Sequence, residues 1–439
     1  MTAADTIFAL ASGGGRGAIA VLRVSGAESR GIIARLAGGL PTARMASLRW
    51  LRDPTTGDAL DQALVLWFPG PKSYTGEDSA ELHLHGGPAV IAAVGGALAA
   101  LGARPAEAGE FTRRAFLNGR LDLTAAEGIA DLIAAETEAQ RRQALRQADG
   151  ALAKLYGAWS ERLTRLLAHQ EAAIEFAEDD LPTDLGDRAR DGAATLRAEI
   201  VAHLADGGRG ERLREGVLVA ILGAPNAGKS SLLNALAGRD AAIVSARAGT
   251  TRDVVEVRLA LAGVPVTLAD TAGLREAADE IEQEGIRRAH RRAEEADLVL
   301  AVFAADTAPD AETLAWVTPG AVVLANKVDL APAPGKIGGV APLPVSARTG
   351  AGLEALRTRL EAEARRLAGA ADAAVLTRPR HRAALTEASA WLAEAETALL
   401  PELASEALRA ALRALGRLTG RVGVEDVLDV IFRDFCIGK

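Results

Sequence analysis

The stretch Gly223-Ala-Pro-Asn-Ala-Gly-Lys-Ser230 constrains this chain more than any other. It satisfies the pattern GxxxxGK(S/T) at every fixed position. An apolar run, residues 217–222, precedes it, and a helix-like run, residues 231–236, follows. This strand–loop–helix context is what the pattern needs to form a phosphate cradle. Glycines let backbone N–H groups turn toward a β-phosphate. Lys229 adds a point charge, and the Ser230 hydroxyl can hold Mg²⁺. Asn226, Ala227, Gly228, Lys229, Ser230 and Ser231 are therefore the first nucleotide-contact candidates.

Three more motifs follow in order. Gly249-Thr-Thr-Arg-Asp253 lies in a polar stretch, where Thr251 can reach a γ-phosphate and complete the Mg²⁺ shell. The strand-like run 264–268 leads to Asp270, Thr271, Ala272 and Gly273. Asp270 would hold Mg²⁺ through water, and the Gly273 amide would sense the γ-phosphate. The run 321–325 leads to Asn326-Lys327-Val328-Asp329. A carboxylate at Asp329 can accept from both N1–H and the 2-amino group of guanine. Adenine lacks that donor pair, so the motif selects GTP over ATP. Ser346 and Ala347, with Arg348 beside them, would meet the guanine O6 through backbone. Each short motif is weak alone. Four in this order, each after a predicted strand, make a guanine-nucleotide site, because open α/β sheets bind ligands at strand C-termini.

Two residues separate this site from a Ras-type one. Leu274 stands where a water-orienting glutamine would follow the Asp-Thr-Ala-Gly motif, and an apolar side chain cannot polarise water. Glu282 is the candidate replacement, although Asp279, Glu280 and Glu284 make it equally one solvated acid among several. Asn226 offers an amide oxygen that can ligate a monovalent cation beside the β/γ-phosphates, in the manner of an arginine finger. The same residue serves equally as a turn former.

At 439 residues the chain is long enough for two or three domains. It is 49% hydrophobic without a run of membrane-spanning length, and it begins Met-Thr-Ala-Ala-Asp. No membrane span and no signal peptide are expected. A single cysteine excludes an intramolecular disulfide framework and suits a reducing, cytoplasmic compartment. The net charge of −8 argues against a surface coated in basic residues, but not against a local patch for RNA.

Residues 1–118 read as mixed α/β, with strands near 18–24, 63–68 and 81–85 and a proline-opened helix near 88–101. Residues 119–213 turn helical, over 125–148, 152–176 and 185–204, with a break at 179–182. The nucleotide block spans 214–368, with a loop over 331–339. Helical character returns over 378–435, within a last segment 369–439. The economical fold is multidomain, α/β plus α-helical, with the nucleotide domain inserted into a discontinuous helical domain whose halves pack together. A continuous helical extension past the nucleotide domain is the alternative.

Outside the nucleotide block the chain carries Gly15-Arg-Gly-Ala-Ile19, Tyr74-Thr-Gly-Glu-Asp78, Gly109-Glu-Phe-Thr112 and the run 114–123. It ends Phe435-Cys-Ile-Gly-Lys439. With the inserted block, these closely resemble the MnmE (TrmE) family of tRNA modification GTPases over essentially the whole chain. The resemblance implies an N-terminal tetrahydrofolate-binding domain that also dimerises, a discontinuous helical domain and an inserted Ras-like domain. It implies action with the FAD- and NADH-using partner MnmG, in a heterotetrameric or larger complex, on C5 of wobble uridine 34 of certain tRNAs. The one-carbon donor would be 5,10-methylenetetrahydrofolate, for which 5-formyltetrahydrofolate is an analogue, and glycine or ammonium would supply the amine. The G domains would pair across a homodimer with K⁺ bound at each nucleotide.

By that resemblance Asn226 is a K⁺ ligand and Glu282 the catalytic glutamate, with Lys229 at the phosphates. The K⁺ loop runs over Ser245, Ala246, Arg247, Ala248, Gly249 and Thr250, with Ser245, Arg247 and Thr250 as ligands. Ser245 often stands as threonine in the family, and serine keeps the oxygen. The folate contacts fall on Arg23, Glu81, Arg120 and Lys439. A carboxylate suits the amide-like edge of a pterin, and cations suit the anionic tail. Position 120 is often lysine in the family, and arginine keeps the charge with different geometry. Without the family, Arg23 and Arg120 read as ordinary surface arginines. Cys436 is either a redox or nucleophilic thiol or a small buried hydrophobe. His83 and His85 share a strand face without acidic or cysteine partners at ligand spacing, which favours a structural role over a metal. A ribosome-assembly GTPase shares the nucleotide motifs, but usually adds an evident RNA-binding module. A plain signalling GTPase would lack the large flanking domains.

Overall fold

A computed structural model describes residues 5–13, 15–175, 185–238, 256–270, 291–369 and 375–422, with positions 428, 431, 432, 435 and 438, and at residue 270 the backbone alone. The chain divides into two compact units. One comprises Met1–Ala130, Gln147–Thr164 and Leu412–Lys439, and the other Asp131–Arg146 and Arg165–Ala411. Both helical regions of the sequence thus contribute to each unit.

The first unit is built on a six-stranded sheet of β1 (Ile7–Leu10), β2 (Ile19–Ser25), β3 (Ser47–Arg52), β4 (Ala59–Phe68), β5 (Ser79–His85) and β6 (Arg104–Pro105). Their order is β3-β4-β5-β2-β1-β6, antiparallel except for β1 with β6. Side chains alternate along a strand, so β5 sends Ala80, Leu82 and Leu84 into the core and leaves Glu81 and His83 half-buried on the other face. Helices Ser29–Leu36 and Pro88–Ala100 cover the core face, where Ile33, Val94 and Leu98 are wholly buried. Pro88 opens its helix at the first turn, where a missing N–H costs nothing. β5 pairs with β2 so that Arg23 stands opposite Glu81.

Helix Glu110–Leu117 begins at Gly109, whose φ is 68°. A Cβ there would lie 2.4 Å from the Phe432 carbonyl oxygen, so the C-terminal segment seats directly on this turn. Phe432 and Phe435 join Leu123 and Ala126 in a small apolar core. Nearby, Arg114 is only 7% exposed. It donates to Asp5 at 2.8 Å, to Glu110 at 2.9 Å and to Glu77 at 3.2 Å. Arg104 also grips Glu110, at 2.6 and 2.9 Å. Burial pushes the Glu110 carboxyl up, but hydrogen bonds from Arg104, the Glu107 N–H and Arg114 outweigh it and hold the group below its ordinary value. A carboxyl lowered in the folded state contributes stability above its unfolded pKa, and that stability is lost as pH falls through the folded pKa. Arg114→Ala removes one buried partner and is expected to cost roughly 3 kcal/mol, the low end for a broken buried pair because Arg104 remains. Urea unfolding at neutral pH would read this as a lower midpoint, with the deficit shrinking on acidification. An unchanged midpoint would mean that the network contributes nothing net.

The second unit holds β7 (Val217–Leu222), β8 (Glu256–Leu261), β9 (Val264–Asp270), β10 (Leu298–Ala304), β11 (Val322–Asn326) and β12 (Leu343–Pro344). Their order is β12-β11-β10-β7-β9-β8, all parallel except β8. Val219, Ile221, Leu268, Leu300 and Leu324 fill its core with Leu232, Leu356 and Leu360 from helices Lys229–Ala237 and Leu353–Ala368. Sequence reasoning named neither β8 nor β10. In the same unit helix Leu185–Leu204 packs along helix Pro379–Thr397, tied by Arg197 to Glu396 at 2.7 Å.

The expected helical run 125–148 is two helices, Leu123–Ala134 and Glu138–Ala148. Gln140 Oε1 accepts from the Glu136 and Thr137 N–H groups at 2.9 and 3.1 Å, and Gln140 N donates to Thr137 Oγ1 at 3.3 Å. That reciprocal capping box starts a new helix and stops the old one. Residues 378–435 likewise break, between Pro379–Thr397 and Pro401–Thr419, because Pro401 cannot continue a helix. The expected break at 179–182 lies outside the described residues.

Candidate functional site

Five parallel strands bring their C-terminal ends to one edge of the second unit. β7 leads into the loop 223–228, and helix Lys229–Ala237 follows. Gly228 has φ 93°, and a Cβ there would lie 2.2 Å from Asn326 Nδ2. Gly223 is equally confined, since its Cβ would lie 2.4 Å from the Val302 carbonyl oxygen. The N-cap of this helix, Gly228, makes no side-chain cap, and the positive end of the helix dipole favours an anion here. Lys229 is 5% exposed and donates from Nζ to the carbonyls of Gly223 and Ala224 at 2.5 and 3.0 Å. Its charge is thereby held across the mouth of the loop. Ala227 is buried, whereas Asn226 (φ 64°), Ser230 and Ser231 are exposed.

Asn326 is 1% exposed and ties the site together. Its Nδ2 donates to Ala227 O at 2.8 Å, and its Oδ1 accepts from Ala347 N at 3.1 Å. One amide thus fixes the phosphate loop to the loop after β12. Sequence reasoning placed Asn326 in the site but not in this tethering role. Ser346 Oγ donates to Asp329 Oδ1 at 2.6 Å, and Arg348 pairs with the other carboxylate oxygen. The Ser346 hydrogen bond and, beyond it, the Arg348 guanidinium hold the Asp329 carboxyl below its ordinary value. Lys327 adopts φ 66° and sets Nζ 3.5 Å from Asp306.

Asp270 ends β9 and pairs in register with Ile221 of β7, two residues before the phosphate loop. Ser245, Ala246, Arg247, Ala248, Gly249, Thr250, Thr251, Thr271, Ala272, Gly273, Glu282, Cys436 and Lys439 lie outside the described residues.

The first unit carries a cavity of about 240 Å³. Arg23 and Glu81 line it, with Tyr74, Phe68, Arg44 and Lys72 around them. Arg23 donates to Glu81 Oε1 from Nε at 3.2 Å and from Nη2 at 2.9 Å. Its Nη1 reaches the Gly438 carbonyl at 3.5 Å, which brings the residue before Lys439 to the cavity. The guanidinium lies 5.5 Å from the Tyr74 ring centre and 5.8 Å from that of Phe111. Tyr74 is held by Thr112 at 2.8 Å. Arg120 is exposed and lies outside the lining, with its stem facing Gly76 beside the lining residue Thr75. Nothing in the sequence linked Arg44, Phe68, Lys72 or Tyr74 to Arg23. His83 Nε2 is 3.5 Å from Glu81, and His85 Nδ1 is 2.7 Å from Asp61. Among the described residues no group of histidine, cysteine and acidic side chains is arranged to hold a metal, and no helix is long and apolar enough to cross a membrane.

Residues 6–120 match the family described as GTP-binding protein TrmE N-terminus, and residues 123–436 match the MnmE helical domain. The chain belongs to the MnmE family. It is 60% identical to the tRNA modification GTPase MnmE of Gluconacetobacter diazotrophicus over 436 residues, covering 99% of this chain and 98% of that one. It is 56% identical to the tRNA modification GTPase MnmE of Granulibacter bethesdensis over 440 residues, covering 99% of each. The crystal structure of the G domain of the T. maritima FeoB iron transporter is similar over 34% of this chain and 98% of that one, at 26% identity and a TM-score of 0.27. Within the MnmE family frame, the Arg23–Glu81 cavity falls in the TrmE-type segment and the phosphate loop in the span of the helical-domain match.

Proposed function

We propose that this chain is a GTP-hydrolysing tRNA modification enzyme. The observation that carries the reading is the convergence of the phosphate loop, Asn326, Asp329 and Ser346 at one sheet edge, in a chain of this family. Lys229 and the helix N-terminus stabilise phosphate charge, and Asp329 selects guanine. Glu282 orients the water that attacks the γ-phosphate, giving GDP and phosphate. Ser230 and Asp270, with Thr251, offer the hard oxygen donors that Mg²⁺ prefers, and the bound ion would neutralise β/γ-phosphate charge. Asn226, exposed at the loop, supports a K⁺ site completed by Ser245, Arg247 and Thr250.

The finer reading is aminomethyl-type modification of C5 of wobble uridine 34, by a homodimer working with MnmG. The one-carbon unit comes from methylenetetrahydrofolate bound in the first unit. The Arg23–Glu81 pair supports this assignment, because the arginine orients a carboxylate that can grip a pterin edge. Arg120 and Lys439 add positive charge for the tail. The domain reading stays that of the sequence, with 1–118 for folate and dimerisation, 119–213 and 369–439 helical, and 214–368 for nucleotide.

Mass spectrometry of tRNA nucleosides from cells lacking the protein tests the reading. C5-aminomethyl-type wobble uridines should disappear, and return with wild type but not with Asp270→Ala. An unchanged nucleoside profile would sink it. GTP hydrolysis should also run much faster in potassium than in sodium chloride, and equal rates would remove the K⁺ role.

A further inference from the structure

The Arg23–Glu81 cavity is open on one side and encloses less than a folate-sized molecule. At about 240 Å³ it falls below the roughly 300–1,000 Å³ typical of sites that enclose drug-sized ligands. It has room for a bicyclic head, so the rest of such a molecule must leave across the rim. Ser73, Thr75 and Ser79 are buried and line its closed side. Arg44 and Lys72 are exposed and form the open side.

The charge balance of the lining differs between floor and rim. Arg23 is engaged with Glu81, so those charges offset one another. The nearby acids are also committed, Glu77 to Arg114 and Asp78 to Arg30. Arg44 and Lys72 have no carboxylate partner among the described residues. The two are 28 positions apart in sequence yet joined, because the Arg44 guanidinium donates to the Lys72 carbonyl. The guanidinium also lies 5.8 Å from the Phe68 ring centre. Arg44 holds a left-handed backbone, φ 62°, that few non-glycine residues adopt. An arginine fixed by a carbonyl and a ring loses less freedom when it meets an anion. Arg44 is thus a held cation, and Lys72 a second exposed cation on the same rim, on a protein of net charge −8.

We propose that Arg44 and Lys72 form a subsite for the γ-linked glutamyl chain of a reduced folate polyglutamate. The proposal rests on the folate reading of the cavity. Each added glutamyl residue brings one more carboxylate, and two cations suit a tail of two or three such residues. The protein would then discriminate folates by tail length, with the head pocket unchanged.

Calorimetry on the full-length protein with 5-formyltetrahydrofolate as its monoglutamate and triglutamate tests this. The triglutamate should bind wild type about three- to tenfold tighter, the scale of one or two exposed charge pairs. Half-molar salt should remove that gain. In Arg44→Ala/Lys72→Ala the gain should fall below about twofold, while monoglutamate affinity changes less than about threefold. An unchanged thermal unfolding profile would show that the variant is folded, and Lys72→Ala alone should lose part of the gain. Equal affinity of the two forms for wild type would overturn the proposal and leave the folate reading intact. A double variant that loses the monoglutamate as well would overturn it by placing both side chains in the head pocket. Binding of neither form by wild type would remove the folate reading itself.

Discussion

An Asp329→Asn protein is expected to exchange guanine for xanthine nucleotides. Guanine presents N1–H and a 2-amino group, both donors, and a carboxylate accepts both. Xanthine keeps N1–H but carries a 2-oxo acceptor. An asparagine amide matches it, accepting from N1–H with oxygen and donating to the 2-oxo with nitrogen. The carboxylate is placed for this by Ser346 at 2.6 Å and by Arg348, which also keep it ionised. Sites built to hydrogen-bond a ligand reject the mismatched analogue by up to ~10⁴–10⁵, because a buried polar group is left unpaired. The side chain here also faces Arg348 at the surface, so a fall of about 10³-fold in kcat/KM for GTP is expected, with a comparable gain for XTP. Ser346 can still donate to the asparagine oxygen, so the local fold should persist. Steady-state hydrolysis of both nucleotides checks this. A GTP value within tenfold of wild type would mean that Asp329 does not read the base.

The phosphate loop's strand–loop–helix geometry was legible because it is local. Phosphate binding needs a strand end, a tight loop and a helix start within a dozen residues, and residues 217–222 form β7 over the run that the apolar pattern marks. The tether made by Asn326 was not legible. A motif gives residue order, whereas the 2.8 Å contact to Ala227 spans 99 positions and exists only once β7, β10 and β11 lie side by side. β10 is an apolar run with no motif after it, so nothing in the chemistry drew attention to it. The capping box at Thr137 and Gln140 was readable, but the helical period continues across it and masks the break. The cavity shows the same divide. Arg23 and Glu81 came from a family likeness, and their ion pair follows from strand register. Arg44 and Lys72 meet through loops, where sequence carries no period to follow.

Replacing Lys229 with alanine should remove turnover most completely. The side chain is buried, and its ammonium donates to two carbonyls of its own loop. Neutral carbonyls hold a cation without cancelling its charge. A γ-phosphate in flight spreads negative charge over its equatorial oxygens, and a fixed cation there costs no reorganisation. Loss of one preorganised donor of this kind typically costs ~10²–10³ in kcat. A full charge lost from a phosphate site should cost at least that, with nucleotide affinity falling too. Arginine should not rescue, because a planar fork does not reproduce the point charge that the Gly223 and Ala224 carbonyls hold. The first unit has its own core, so folate binding should survive in the same variant, and an unchanged thermal unfolding profile serves as the control for folding. Hydrolysis within tenfold of wild type, with folate binding intact, would mean that the phosphate loop is not where GTP is turned over.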